Sequence, residues 1–169
     1  MSLRTALPPL LLLVILSCAP TGARSPADRG SLQPTTPEQI QHFTSAHLDS
    51  VAMQPAEAAR PSQLLGDRGG YSYLLIRRVS AGEVEVHTAW DDVFVVRTGS
   101  GTLLTGSTAE GSRNTSPGER RGGHIPEPRS RTLRSGDMVV IPAGLAHQVV
   151  PDAGGALTYL VVKASARAR

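Results

Sequence analysis

Between Gly136 and His147 the chain runs GDMVVIPAGLAH, and no other stretch constrains the fold as tightly. Asp137 to Ile141 has the β-branched, apolar texture of a short strand. Pro142 ends it, Gly144 supplies the backbone freedom for a reversal, and Ala146 to Val150 reads as the returning strand. His147 therefore stands at the head of a return strand, beside a tight turn. A β-barrel presents a ligand inward in this way.

A second constellation lies upstream, from Gly82 to Gly99. Side chains alternate faces along a strand, so Glu85 and His87 share one face while Val84 and Val86 share the other. After a short turn at Thr88 to Trp90, the next strand puts Asp92, Phe94 and Val96 on a common face. Two carboxylates and an imidazole then converge from neighbouring strands, and His147 completes the set from a third.

These residues resemble the two motifs of the cupin superfamily. The second motif, G(X)5PXG(X)2H(X)3N, is matched by Gly136, Pro142, Gly144 and His147, with Pro151 in place of the final Asn. The first, G(X)5HXH(X)3-4E(X)6G, is matched through Gly99, which places His87 at the second histidine, Asp92 at the glutamate and Glu85 at the first histidine. Two of these metal positions are altered in type, yet each still holds a residue able to bind a metal. The resemblance covers about residues 70 to 163 and implies an all-β fold, an antiparallel cupin-type jelly-roll barrel, with a short N-terminal helical segment.

The ligand set that the resemblance implies is Glu85, His87, Asp92 and His147. Imidazole with carboxylate suits Zn, Fe, Mn, Ni or Cu far better than Ca or Mg. His87, His147 and either Asp92 or Glu85 would leave positions for a ligand, and the remaining carboxylate would be a fourth ligand or a general base. The competing reading is a hydrogen-bonded cluster without metal, since buried polar groups are usually paired. The other histidines are poorer candidates. His42 and His47 fall on different faces of an expected helix, and His124 sits in a loop of Gly, Arg and Pro. Trp90 reads as packing at the hairpin turn.

The formal net charge is +3, but the basic residues are scattered and aromatics make up 4%, so no stacking surface for a nucleic acid is visible and no nucleic-acid partner is expected. At the N-terminus, Arg4 precedes an apolar run from Ala6 to Leu16, too short to span a bilayer but suited to a signal peptide over residues 1–18. Cys18, the single cysteine, follows Ile15-Leu16-Ser17 as in a bacterial lipobox, with Leu16 where a small residue is usual. Cleavage after Thr21-Gly22-Ala23 is the alternative. The expectation is an exported protein of a bacterial envelope or periplasm, lipid-anchored as a lipoprotein at Cys18, or else secreted. A lone cysteine leaves no disulfide within the chain.

Residues 19–37, rich in Pro, Ser, Thr and Gly, read as a disordered tether. Residues 38–69 read as a partly helical extension, its helix running from Pro37 to about Ala59 with Thr36 or Pro37 near the start and packing on the barrel or on a second subunit, in a homodimer. Residues 70–163 form the barrel, with strands expected at Tyr71–Val79, Val84–His87, Asp92–Arg97, Thr102–Thr105, Thr132–Leu133, Met138–Ile141, His147–Val150 and Leu157–Lys163. Gly106 to Arg131 has almost no apolar periodicity and reads as an inserted loop. It is either a surface excursion or a lid whose Arg113, Arg120, Arg121 or Arg129 meets an anionic ligand.

Cupins include dioxygenases, isomerases, decarboxylases, sugar binders and regulatory modules, so the resemblance does not select a reaction. The expectation is a divalent metal and a small anionic ligand, with or without enzymatic turnover. The alternative is a non-catalytic envelope protein that captures a ligand or metal.

Overall fold

The computed structural model describes residues 40–53 and 62–166. The readings of the signal peptide, Cys18 and the tether lie outside the described residues. One helix, α1 (Ser45–Met53), precedes β1 (Ser62–Asp67), β2 (Tyr71–Arg78), β3 (Glu85–His87), β4 (Trp90–Thr98), β5 (Ser100–Gly106), β6 (Arg113–Ser116), β7 (Glu119–Arg121), β8 (Arg129–Arg134), β9 (Met138–Ile141), β10 (Ala146–Pro151) and β11 (Leu157–Ser165). Two antiparallel sheets face each other, with strand orders β1-β2-β11-β4-β9 and β6-β7-β3-β10-β5-β8.

Period-two alternation decides what lies between the sheets. On the first sheet Phe94, Val96, Ile141, Leu157, Tyr159 and Val161 point inward, and Leu103, Leu133 and Val149 meet them from the second; all are buried. Toward one end the same inward rows turn polar: His87 and Glu85 on β3, His147 on β10, Asp92 on β4 and Lys163 on β11. The apolar half is the core, and the polar half forms the site.

Helix α1 starts at Ser45, not near Thr36 or Pro37. Residues 40–44 are not helical, and the Thr44 hydroxyl accepts from the His47 amide at 3.2 Å as an N-cap. Leu48 and Val51 bury against Leu75 on the outer face of β2, and Arg97 ties the helix down through Ser45 Oγ (2.9 Å) and Asp49 (2.8 Å). The extension read as partly helical also contains β1, an edge strand paired with β2.

The segment Gly106–Arg131 is not the loop expected. It forms the β6–β7 hairpin, which pairs with β3 and extends the second sheet: Glu85 lies opposite Arg121 and His87 opposite Glu119. The hairpin was hidden because its strands consist of Arg, Asn, Thr, Ser and Glu, with β6 fully exposed. Backbone pairing and the turn at Gly118 (φ 79°) carry it, without an apolar stripe. The flanking residues Ala109 and Ile125 cover Val84, Val86 and Ala146 on the outer face of the sheet.

Candidate metal centre

The turn after β9 is docked onto the β3–β4 connection. The Ala143 amide donates to Asp91 Oδ1 (2.7 Å) and the Gly144 amide to the His87 carbonyl (2.7 Å), which places His147 opposite Glu85 across the β3–β10 pair. The imidazole rings of His87 and His147 lie 5.3 Å apart between centroids, and both residues are buried. Ligand atoms of Glu85, His87 and His147 all fall within 4.8 Å of one another.

The ring orientations carry the chemistry. His87 Nδ1 is 2.5 Å from Glu119 Oε2, and His147 Nδ1 is 3.1 Å from the Leu145 carbonyl. With the Nδ1–H of each ring donated outward, both Nε2 lone pairs point into the cluster, as in histidines that bind metals. His87 Nε2 lies 3.2 Å from Glu85 Oε2 and 3.4 Å from Asp92 Oδ2, yet it is buried and makes no aligned hydrogen bond. A buried nitrogen facing two carboxylates requires a cation or a proton between them.

The titrations follow from that packing. Burial pushes His87 down, but the carboxylates of Glu85, Asp92 and Glu119 outweigh it and leave its pKa raised. Burial dominates at His147 and lowers it, despite the bond to Leu145. Burial raises Glu85, but the close approach of His87 and the charge of Arg121 overcome that and hold its carboxyl at about 2. Its folded pKa thus lies below the unfolded value, so Glu85 adds stability above about pH 4.5 that is lost as the pH falls toward 2. In chelator-treated protein the urea midpoint of wild type should fall more steeply than that of Glu85→Gln between pH 5 and 2. Parallel curves would remove this assignment.

Asp92 is brought to the cluster, with Oδ2 3.7 Å from His147 Nε2, but Lys163 Nζ holds its two oxygens at 2.9 and 3.3 Å. Of the four arginines read as lid residues, Arg121 alone lines the cavity, bonding Glu85 Oε1 at 2.7 Å; Arg113 pairs with Glu83 on the surface, and Arg120 and Arg129 are exposed. His124 pairs with Glu110 at the surface, and His42 and His47 are exposed. Trp90 opens β4 opposite Ser165.

Sequence reasoning missed Glu119, Arg78, Tyr159 and Lys163. Parity would have found the last three, because Arg78 continues the inward row Leu74-Ile76 on β2, and Tyr159 and Lys163 continue Leu157 and Val161 on β11. The cavity these residues line has a volume of about 970 Å³.

No family model and no curated protein matches the chain. Among solved structures, a protein from Bacillus halodurans is similar at 16% identity and a TM-score of 0.54, over 80% of this chain and 89% of that one. An uncharacterized conserved protein with a double-stranded beta-helix domain from Klebsiella pneumoniae is similar at 13% identity and a TM-score of 0.53, over 81% of this chain and 94% of that one. The architecture is thus an antiparallel double-stranded β-helix. It is the cupin fold that the two motifs led us to expect, and at these identities the likeness is one of fold alone.

Proposed function

We propose that this protein is an exported cupin-fold protein that holds a divalent transition metal on Glu85, His87 and His147 and offers it to a small anionic ligand in the adjoining cavity. One observation carries the reading: Glu119 and the Leu145 carbonyl occupy the Nδ1 side of both imidazoles, leaving their Nε2 atoms to the carboxylate cluster of Glu85 and Asp92. The donor set fits such an ion, and the buried, unbonded Nε2 of His87 fits it as well.

A bound ion would polarise an oxygen of the ligand as a Lewis acid. The protein's own groups have separate tasks. Glu119 holds the proton on His87 Nδ1, and the Leu145 carbonyl does so for His147. Asp92, anchored by Lys163, presents Oδ2 beside the cluster as an acceptor for a ligand proton. Turnover is the reading we favour over capture alone, because three protein ligands beside a cavity leave coordination positions free.

Titration of Co2+ into metal-free protein, followed by its visible absorption, tests the site. Glu119→Ala should weaken binding by roughly 10- to 100-fold, the usual effect of removing such a partner. Wild-type affinity no greater than that of His87→Ala would end the reading. For the export arm, fractionation of wild type and Cys18→Ser should show a membrane-bound form becoming soluble. Two soluble exported forms would indicate plain secretion, and an intact cytoplasmic chain would overturn export.

A further inference from the structure

Glu85 Oε1 is shared by two guanidinium groups, Arg121 at 2.7 Å and Arg78 at 3.3 Å. Arg121 is the closer partner, so Arg78 is the less fully matched, although its side chain is only 12% exposed. Its Nε donates to the Tyr159 hydroxyl at 2.9 Å, and among the described residues Nη1 has no acceptor. Tyr159 is 1% exposed and spends its oxygen on Arg78, while its own proton has no acceptor among the described residues. Two donors are thus held side by side facing the cavity.

The guanidinium is also placed from behind. A Cβ at Gly82 would lie 2.5 Å from Arg78 Cζ, so the bare backbone there is what lets the group lie flat against it. Among the polar residues of the cavity wall, Leu74, Ile76, Phe94 and Val161 supply an apolar stretch.

Charge selects the occupant. With neutral histidines, Arg78, Arg121 and Lys163 balance Glu85, Asp92 and Glu119, so a bound dication leaves the site positive. Buried excess charge calls for an anion beside it. A carboxylate matches the planar donors of a guanidinium.

We infer that Arg78 and Tyr159 form a carboxylate-binding subsite next to the metal ligands, so that the ligand is a small organic acid whose apolar body lies along Leu74, Ile76, Phe94 and Val161. This inference rests on the metal reading above.

The test is calorimetric titration of hexanoate, and of hexanamide as its uncharged match, into the full chain with and without Zn2+, alongside Zn2+ titrations. Arg78→Gln should weaken hexanoate at least tenfold. Tyr159→Phe and Gly82→Ala should weaken it several-fold, the latter by displacing the guanidinium without removing its charge, and Zn2+ affinity should stay within a few-fold in Tyr159→Phe, whose hydroxyl bonds Arg78 and not Glu85. Hexanamide should bind wild type at least tenfold more weakly than hexanoate. Hexanoate that fails to bind wild type, binds all four proteins alike, or binds no better than hexanamide overturns the subsite; normal Zn2+ binding in that case leaves the metal reading standing. Arg78-dependent hexanoate binding in a protein that takes no Zn2+ supports the subsite and overturns the metal reading alone.

Discussion

Saturating Zn2+ or Co2+ should raise the unfolding temperature of the wild-type protein by on the order of 10 °C, and His147→Ala should remove most of that gain. A ligand that binds only the folded state at about 1,000 times its dissociation constant adds ~4 kcal/mol, and each kcal/mol moves the melting point of a domain this size by several degrees. His147 supplies one of the three grouped donor atoms from a strand of its own, so its loss opens the cluster on the β10 side. The gain should fade as the pH falls below the histidine range, because both Nε2 atoms must be unprotonated to bind. His87, whose pKa is raised by its carboxylates, takes up its proton first and sets where the gain begins to fade. His124→Ala is the control: it removes an exposed imidazole paired only with Glu110 and should leave the metal shift unchanged. Equal melting temperatures with and without metal, or a full shift in His147→Ala, would sink the metal centre.

The four side chains singled out from sequence lie together because their convergence is a matter of parity and turns. Glu85 and His87 are two apart on one strand, Asp92 shares parity with Phe94, and the turn from Pro142 to Gly144 starts β10 one residue before His147. What parity does not reveal is which carboxylate stands free. Asp92 is claimed by Lys163, a residue 71 positions away that reaches it through the β4–β11 register. Glu119 was illegible for a different reason. A strand whose stability rests on backbone pairing to β3 carries no apolar period, so the residues that hold His87 and Glu85 in place look like loop. Apolar alternation reports burial, and the β6–β7 hairpin buries little.

The glycines of the two motifs look alike in sequence, and the fold separates them. Gly99 has φ of +83°, and a Cβ there would sit 1.9 Å from the Ala156 carbonyl oxygen. It joins β4 to β5 where the chain leaves one sheet for the other, pressed against the backbone that leads into β11. Gly144 has a similar φ of +85°, but a Cβ there meets nothing within 4 Å. Gly144→Ala should therefore cost only the left-handed conformation, about 1–2 kcal/mol, and leave the metal affinity within a few-fold. Gly99→Ala adds a clash with main chain that no side-chain rotation relieves, and should destabilise by about 4 kcal/mol or more. Urea midpoints of the two variants in chelator-treated protein measure the difference directly. Equal losses would mean that conformation alone explains Gly99, and that its contact with Ala156 has no part in bringing the two sheets together around the site.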